Sequence, residues 1–330
     1  MNKNSLKKLL FLCLAIPFAA VALWGCSSRD DRPSDTGETK LKVVTTLFPY
    51  YDFTRQVAGD RVELTMVVPA GMDSHSFEPT PADVQTIREA DVLICNGGAL
   101  EHWLSQVLNA VDSSAMTVVT GMDYVDSVQE ELVEGMEEEE HQHQEDGDDH
   151  GGDIEYDEHI WTSPVNAMTL VEAIRDTLTE KDPENRSYYE ERAKAYLDKL
   201  KKLDGEFRKV AENKKRDMIV VGDKFPFRYL ADEYGLSYRA AFSGCSTDTE
   251  PSARTIAYLI DKMRLEQIPV IYYLELSSHR VSEIIAEETG AEPLLLHSCH
   301  NVSRREFDSG ITYLELMEQN VINLTRGLDE

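Results

Sequence analysis

The sequence is short of positive charge. It contains 33 lysine and arginine residues against 61 aspartate and glutamate residues, which gives a formal net charge of -28 at pH 7. A surface of this sign repels nucleic acid and anionic lipid head groups, and it attracts cations. The composition therefore argues against nucleic-acid binding, and it predicts a cation as the first ligand to consider.

Two sequence signals of enzymes are also missing. No Gly-x-x-x-x-Gly-Lys phosphate loop occurs, so any ATP-driven step needs a partner ATPase. No His-Glu-x-x-His segment occurs either, although that segment is a common mark of zinc hydrolases. A zinc hydrolase stays an alternative, because Glu158 beside His159 offers a general base next to a candidate ligand.

One long apolar run lies near the amino terminus. Three lysines precede the apolar residues 9–23, which are too few and too one-sidedly flanked for a membrane span. We interpret residues 1–25 as a secretory signal. Residues 23–26 (LWGC), at the end of the signal, resemble the lipobox of bacterial lipoproteins. Cys26 is therefore expected to be the lipidated first residue, with an ordinary signal peptide as the alternative. Residues 26–40 are polar and suit a flexible tether.

Short β-branched runs alternate with helical patterns along most of the mature chain. This alternation is typical of α/β folds with mainly parallel sheets. We expect two α/β lobes, at residues 41–181 and 217–330. The predicted strands are 41–47, 62–68, 92–95 and 118–120 in the first lobe, and 218–221, 270–274 and 293–296 in the second.

Residues 182–216 are predicted to form one long, rigid helix between the lobes. Asp182 and Pro183 suit the first turn of a helix, and the cations at 214–216 suit its last turn. A coiled-coil dimer is the alternative, because the apolar residues recur at steps of four and three. Residues that signal a helix start and a helix end at the two limits of the segment favour a single linking helix, and hence a monomer. The apolar stripe consists of Tyr189, Ala193, Tyr196, Leu200, Leu203, Phe207 and Val210.

Residues 130–153 break the α/β pattern. The segment is acidic, has few apolar residues and carries His141, His143 and His150. Such a segment is expected to be a mobile loop that packs no core. Imidazoles interleaved with carboxylates suit weak capture of a divalent metal such as zinc, so we interpret it as an auxiliary metal-collecting loop. A charge run that only adds solubility is the alternative.

Three further histidines stand where ligands gather in α/β proteins, beyond the carboxyl ends of strands. His75 lies a few residues past the strand that ends near Val68, and His297 directly follows a predicted strand. His159 comes immediately after the acidic loop and before a helical pattern. Each one alone is compatible with a structural role, but together they predict a metal site.

Five segments, in their order and spacing, resemble the solute-binding lipoproteins of bacterial zinc and manganese uptake systems of the ATP-binding-cassette type. The resemblance covers nearly all of the mature chain. It implies two α/β lobes joined by a long rigid helix, with one metal bound in the cleft between them. It also implies a partner permease and its ATPase. The segments are 75–81 (HSFEPTP), 157–161 (DEHIW), 182–185 (DPEN), 250–252 (EPS) and 313–317 (YLELM).

The resemblance also implies ligand positions. Its first two histidine ligands correspond to His75 and His159. The third family ligand opens a His-Asp-Ala-Phe-like stretch, where this chain has Gly222, which has no side chain to donate. Asp223 is the nearest substitute, and that position stays open.

The fourth family position corresponds to His297, with His300 as the alternative. Three imidazoles completed by water or a carboxylate suit zinc, whereas manganese favours more oxygen donors. The resemblance places histidine-bearing acidic loops mainly in zinc-binding members. Zinc is therefore the expected ligand, and a manganese receptor of the same family is the alternative.

Two cysteines of the second lobe follow predicted strands. Cys245 and Cys299 are therefore candidates for a disulfide in an exported protein. Cys95 lies inside a predicted strand and is expected to be a buried apolar residue.

The expected function is that of a receptor, not an enzyme. It would be lipid-anchored to the outer face of the cell membrane, capture zinc there and pass it to a permease. A metal-storage or adhesin lipoprotein is the alternative, with the acidic loop as its functional part. Stoichiometry distinguishes them, since a receptor binds one metal tightly and a store binds many with similar affinity.

Overall fold

The computed structural model describes residues 40–136, 156–244 and 250–330. Among these residues, no helix is long and apolar enough to cross a membrane. Some predicted features lie outside them. These are the signal peptide, the tether up to residue 39, the lipidated Cys26, the loop histidines His141, His143 and His150, and Cys245.

The first lobe is built on a parallel sheet of four strands in the order β2-β1-β3-β4. Its inner strand β3 is buried along its whole length, which explains its uninterrupted apolar sequence. The strands are β1 (Leu41–Thr45), β2 (Val62–Met66), β3 (Val92–Cys95) and β4 (Thr117–Thr120). The helices among them are α1 (Phe48–Ala58), α2 (Pro81–Arg88) and α3 (Leu104–Ala110).

Two long helices follow the first sheet. Helix α4 (Pro164–Lys181) is capped by Ser163, whose side chain accepts hydrogen bonds from the backbone N–H groups of Val165 and Asn166. A short 3-10 turn (Pro183–Asn185) then leads into α5 (Arg186–Asn213), a helix of 28 residues. At 1.5 Å per residue α5 is about 40 Å long, enough to run past both lobes.

The second lobe repeats the strand order of the first, as β6-β5-β7-β8, and again all pairs are parallel. The sequence failed to predict one of its strands, β6, because the letters SYRA carry little apolar or β-branched signal. The strands are β5 (Met218–Val221), β6 (Ser237–Ala240), β7 (Val270–Tyr273) and β8 (Glu292–Leu295). The helices are α6 (Arg228–Tyr234), α7 (Ala253–Glu266), α8 (Arg280–Thr289), α9 (Arg304–Ser309) and α10 (Tyr313–Leu328).

Helix α5 contacts both lobes. It packs against α1 and α4 of the first lobe and against α6 and α10 of the second. Its buried residues are the seven of the predicted stripe, from Tyr189 to Val210. Because that stripe is buried inside the chain, it is not an exposed seam for a coiled-coil partner.

The ends of the predicted helix differ from expectation. The Asp182 side chain makes no capping bond to the backbone, and its Oδ2 instead accepts hydrogen bonds from the Tyr189 hydroxyl (2.5 Å) and the Asn185 amide (2.8 Å). Helix α5 ends at Asn213, so the cations at 214–216 lie beyond it. Lys214 donates to the carbonyl oxygen of Gly235 at 2.6 Å, and so fixes the chain to α6 instead of the helix end.

A second connection between the lobes joins α1 to the start of α10. The buried Asp52 carboxylate accepts a hydrogen bond from the backbone N–H of Tyr313 (2.7 Å). Arg55 pairs with Asp52 at 2.6 Å and donates to the carbonyl oxygen of Ile311, also at 2.6 Å. The carboxylate thus occupies the positive end of α10, where a negative charge is favourable.

The structure predicts a large effect of truncating the α5 stripe. Phe207 is buried and stacks on Tyr234 of α6, with 5.1 Å between ring centroids. Phe207→Ala should lower the free energy of unfolding by about 3–5 kcal/mol, the usual cost of removing a buried phenyl ring. Urea unfolding followed by circular dichroism measures this.

Lys201→Ala on the exposed face of the same helix is the matched control. We expect it to change stability by less than about 0.5 kcal/mol. If the two variants unfolded alike, α5 would not be the element that braces the lobes.

Candidate metal site

Three histidines from distant parts of the chain meet in the cleft between the lobes. A ring nitrogen from each of His75, His159 and His300 lies within 4.8 Å of one from each of the others. The ring centroids are 5.3 Å apart for His75 and His300, and 5.9 Å apart for His75 and His159. No other group of three or more metal-ligating side chains occurs in the part of the chain that the structure describes.

Local hydrogen bonds fix the first two histidines. His75 sits in a 3-10 turn that Asp73 caps, because the Asp73 carboxylate accepts from the backbone N–H of His75 at 3.0 Å. His159 is buried, and its backbone N–H donates to Asp157 Oδ1 at 2.8 Å. The same carboxylate oxygen lies 3.3 Å from His159 Nδ1. A carboxylate behind a histidine orients the ring and increases its basicity toward a metal.

His300 comes from the second lobe, in the segment 298–302 between β8 and α9. Its ring stacks on Trp161, with 5.9 Å between centroids, and its Nε2 contacts the hydroxyl of the buried Ser74. Trp161 also meets the ring of His159 edge-on at 5.5 Å. Trp161 therefore lies against two of the three imidazoles and limits how their rings can turn.

Hydrogen bonds join segment 298–302 to the first lobe. The Trp161 indole N–H donates to the carbonyl oxygen of Ser298 at 2.8 Å. The Asn301 amide donates to the carbonyl oxygens of Pro69 and Met72, both at 2.8 Å. The Gly71 N–H donates to the Val302 carbonyl oxygen at 2.7 Å. His300 is thus held against the first lobe, although it follows a strand of the second.

The surroundings favour neutral imidazoles at two of the three positions. Burial, together with nearby His159 and Lys224, lowers the pKa of His75 to about 4. Burial and the charges of the other two histidines and Lys224 also lower the pKa of His300. Burial acts in the same direction on His159, but Asp157, Glu130 and Glu158 outweigh it and its pKa is raised. A neutral imidazole is the form that binds a metal.

The three histidines face a cavity of about 320 Å³. The first lobe contributes Met72, Asp73, His75 and His159 to its lining. The other wall comes from the turns after β5 and β7, which supply Asp223, Lys224, Glu275 and residues 276–278. The site therefore lies at the carboxyl ends of strands, where ligands of α/β proteins are expected.

His297, the expected fourth ligand, is not a member of the three-histidine group. Its Nδ1 accepts a hydrogen bond from the Cys299 N–H at 2.9 Å and lies 3.5 Å from Glu275. Its backbone is held by the Asn320 side chain on both sides, at 2.8 and 2.7 Å. The structure brings together the alternative, His300, with His75 and His159.

The turn after β5 places its residues differently from what the sequence suggested. An added Cβ at Gly222 would lie 2.4 Å from the Ser282 hydroxyl oxygen and 3.0 Å from the Ser282 nitrogen, so this position faces α8 and not the cavity. Asp223 lines the cavity but is not part of the three-histidine group. Lys224 also lines the cavity. It was not predicted as a site residue, although a position just after a strand is where ligand-binding residues of α/β proteins are expected.

The start of the predicted acidic loop packs against the second lobe, contrary to expectation. The Glu130 carboxylate accepts a hydrogen bond from the Gly244 N–H at 2.7 Å. Burial and the neighbouring Asp157 raise the pKa of Glu130 to about 7. Val133 and Met136 pack partly buried against the core.

Glu158, the base of the alternative hydrolase, does not line the cavity. Both its carboxylate oxygens accept backbone hydrogen bonds, from Ala99 N–H and from Leu100 N–H (2.5 Å). This carboxylate therefore anchors the chain before His159 and is not positioned to activate a metal-bound water. The hydrolase alternative loses its only named base.

The structure describes two cysteines, Cys95 and Cys299, and both are buried. Cys95 lies inside β3, as expected, and its Sγ is 3.5 Å from the Val119 carbonyl oxygen. Cys299 is buried with a φ of 60°, in the turn between His297 and His300. Since Cys245 lies outside the described residues, its pairing with Cys299 stays a prediction.

Two α/β lobes joined by one long helix, with three imidazoles in the cleft between them, have the architecture of a metal-binding receptor. Comparison with known proteins agrees. The family model ZnuA, zinc-uptake complex component A, periplasmic, matches residues 43–327, and the chain belongs to this family.

Relatives and solved structures are consistent with this assignment. The chain is 33% identical over 308 residues to the high-affinity zinc uptake system protein ZnuA of Bacillus subtilis, covering 93% of each. It is 32% identical to the zinc-binding lipoprotein AdcA of Streptococcus pneumoniae, over 98% of this chain but only 62% of that protein. The Zn(II)-bound ZnuA-like domain of the latter superposes with a TM-score of 0.71 at 30% identity, covering 88% of this chain and 100% of that one.

The close packing behind His159 leads to a testable prediction. An added Cβ at Gly244 would lie 2.8 Å from the Phe225 carbonyl oxygen, 3.0 Å from Asp157 Oδ2 and 3.3 Å from His159 Nδ1. Gly244→Ala should therefore disturb the Asp157–His159 pair and weaken zinc binding by about tenfold or more, as other losses of a ligand's supporting contact do. Isothermal titration calorimetry with zinc measures the change.

Gly205→Ala is the control, because nothing lies within 4 Å of an added Cβ there. That helical substitution should stabilise the fold by up to about 1 kcal/mol and leave the zinc affinity unchanged. Equal zinc affinities in both variants would contradict the supporting role of Asp157.

A buried carboxylate of the first lobe, that of Glu101, predicts a pH dependence of stability. Glu101 Oε2 accepts hydrogen bonds from the N–H groups of Asn96 and Gly97, both at 2.9 Å. Burial raises its pKa to about 7 from 4.5. The folded state therefore binds more protons than the unfolded state between these values, and its stability falls as the pH rises through this window.

Glu101→Gln removes this proton while keeping an oxygen acceptor. We expect its free energy of unfolding to exceed that of the parent by a margin that grows from pH 5 to pH 8, up to about 3 kcal/mol. Urea unfolding at several pH values tests this. Glu63→Gln, at an exposed position on β2, is the control. A constant difference across the pH range would show that Glu101 is ionised throughout.

Proposed function

We propose that this protein binds one zinc ion in the cleft, with His75, His159 and His300 as ligands, and delivers it to a membrane permease for uptake. The observation that carries the proposal is the convergence of three imidazoles in the cleft between two lobes. Membership of the ZnuA family supports it, and so do the zinc-related names of the relatives.

The donor set favours zinc over manganese. Zinc is bound by imidazole nitrogen in tetrahedral sites, with water or a carboxylate in a remaining position. Manganese prefers more oxygen donors. Asp223 and Glu275 line the opposite wall and supply carboxylates near the ion.

The protein acts together with separate partner proteins. A permease must accept the ion and an ATPase must drive uptake, since the chain has no phosphate-binding loop. We propose that Cys26 carries the lipid that anchors the receptor to the outer face of the membrane. The histidines at 141, 143 and 150 then act as an auxiliary collecting loop.

Release of zinc depends on which wall moves. His300 is bonded to the first lobe through its neighbours Ser298 and Asn301. A simple separation of the lobes would therefore carry the three imidazoles together and withdraw the wall that bears Asp223 and Glu275, and it would break the hydrogen bonds from Ser298 to Glu275. We infer that docking to the permease opens this wall and exposes the ion, which remains on its histidines until the permease removes it.

Single-histidine variants test the ligand set. His300→Ala and His159→Ala should each weaken zinc binding by at least about 100-fold, because even supporting residues of metal sites are worth 10–100-fold. His297→Ala should weaken it far less, since His297 lies outside the group. Calorimetric titration of the mature protein with zinc and with manganese measures both affinity and stoichiometry.

His102→Ala is the control, because the His102 side chain is half-exposed and, among the described residues, its ring is hydrogen-bonded only to Glu78, at 3.4 Å. A variant that lacks residues 137–153 distinguishes a receptor from a store. One tight zinc site that survives this deletion supports the receptor. Loss of tight binding with the loop, or a stronger effect of His297→Ala than of His300→Ala, would refute the proposed site.

A further inference from the structure

We propose that Glu130 is a positioning residue of the zinc site and that it couples zinc binding to contact between the two lobes. Its carboxyl group joins Gly244 of the second lobe to Asp157, the residue that supports His159. This inference rests on the proposed zinc site. Three observations support it: the bond between two carboxyl groups, the contacts of both groups with the second lobe, and their place behind a ligand.

The first observation is a hydrogen bond between the carboxyl groups of Glu130 and Asp157. Glu130 Oε1 accepts from the Gly244 N–H at 2.7 Å. Glu130 Oε2 and Asp157 Oδ2 are both buried, and neither accepts from an N–H or hydroxyl group among the described residues. The two carboxyl groups are bonded to each other instead. Since two ionised carboxylates can only accept, this bond holds a proton between them.

The second observation is that the second lobe holds this pair from behind. The Tyr229 hydroxyl of α6 donates to the Asp157 carbonyl oxygen at 2.9 Å and accepts from the Val128 N–H at 3.1 Å. The turn after β6 also reaches the pair, because an added Cβ at Gly244 would lie 3.0 Å from Asp157 Oδ2. A separation of the lobes therefore breaks these contacts.

The segment that carries Glu130 has further bonds to the second lobe. The carboxylate of the next residue, Glu131, lies 3.5 Å from the Arg228 guanidinium and accepts from the Tyr238 hydroxyl at 3.4 Å. These groups lie on the exposed side of the segment, whereas the Glu130 side chain turns inward to Asp157. Glu130 is thus the residue through which this interlobe contact reaches the support of a ligand.

The third observation is the place of the pair directly behind His159. Asp157 Oδ1 accepts from the His159 backbone N–H at 2.8 Å and lies 3.3 Å from His159 Nδ1. A carboxylate in this place orients the imidazole and strengthens its bond to a metal. The bond to Glu130 engages Asp157 Oδ2, and so it keeps Oδ1 turned toward the ring.

Together these contacts form a continuous path from the second lobe to the ion. With the lobes in contact, the Gly244 N–H holds Glu130, Glu130 holds Asp157, and Asp157 holds His159. Zinc is then bound more tightly by the closed protein, and bound zinc favours closure in return, because such coupling is reciprocal. Opening of the second-lobe wall would therefore loosen His159 as well as expose the ion.

Variants of Glu130 test the inference in a competition titration of zinc against a chelator of known affinity. Glu130→Ala should weaken zinc binding by about tenfold or more, the usual cost of losing a contact that supports a ligand. Glu130→Gln should keep most of the parent affinity, because its amide can accept from the Gly244 N–H and donate to Asp157. Glu131→Ala is the matched control. It removes a carboxylate of the same segment that is not bonded to Asp157, and it should leave the affinity unchanged.

A double-mutant cycle tests whether Glu130 acts through Asp157. In the Asp157→Ala background, Glu130→Ala should weaken zinc binding no further, because its route to His159 is already lost. If Glu130 only stabilised the fold, its removal would cost the same factor in both backgrounds.

Amide exchange at Gly244, followed by NMR, measures the coupling between the lobes. Saturating zinc should slow this exchange in the parent and in Glu130→Gln. In Asp157→Ala, saturating zinc should leave the exchange at its metal-free rate, because the path from the ion to the second lobe is cut. Equal slowing in Asp157→Ala would show that the ion protects Gly244 directly, and it would contradict the coupling.

The outcomes separate this inference from the proposed zinc site. If His159→Ala loses tight zinc binding but Glu130→Ala binds zinc as well as the parent does, only the role of Glu130 fails. The same conclusion follows if Glu130→Gln binds as weakly as Glu130→Ala. If His159→Ala itself binds zinc as tightly as the parent, the proposed zinc site fails as well.

Discussion

The burial of one face of α5 is the constraint on which the rest of the structure depends. Its stripe from Tyr189 to Val210 packs against helices of both lobes, so the distance between the two sheets is set by a rigid element. A helix of this length has little intrinsic stability without tertiary packing, and here the packing is supplied from both sides. The cleft is therefore an outcome of helix packing and not of contacts across the cleft alone.

The two lobes contribute unequally to the candidate site. Two histidines belong to the first lobe, and the third is attached to that lobe through Trp161 and Asn301. The second lobe contributes a wall of charged and hydroxyl groups, including Asp223, Lys224 and Glu275. Burial also keeps the pKa values of His75 and His300 low, so these rings do not need to lose a proton before they bind a metal.

Sequence patterns predicted the fold well, because hydrophobic periodicity is a local signal. The seven buried residues of α5 could be predicted from their spacing, and so could seven of the eight strands in the described part of the chain. The missed strand, β6, has polar letters at alternate positions and is stabilised by pairing with β5. The ends of α5 were also misjudged, since Asp182 and Lys214 make tertiary hydrogen bonds that no helix-end rule describes.

The candidate site could be predicted only in part, because its geometry depends on contacts between residues that are distant in the sequence. The positions of His75, His159 and residues 297–300 relative to the predicted strands identified them as candidates. These positions did not distinguish His297 from His300. Which of these two histidines faces the cavity depends on a turn in which Cys299 adopts a φ of 60°. A cysteine rarely takes this conformation, and the sequence does not predict it. Likewise, only the packing of Ser282 shows that position 222 faces away from the cavity.

The contact between Ser74 and His300 joins residues that are 226 positions apart in the chain. Contacts of such long range close large loops and form late in folding. A chain without the second lobe lacks His300, and it also lacks the contacts by which segment 298–302 holds residues 69–74. The proposed donor set would be complete only after β8 has paired and segment 298–302 has joined the first lobe. Metal capture would then stabilise the finished receptor and not its partly folded precursors, so incompletely folded chains would not compete for the ion.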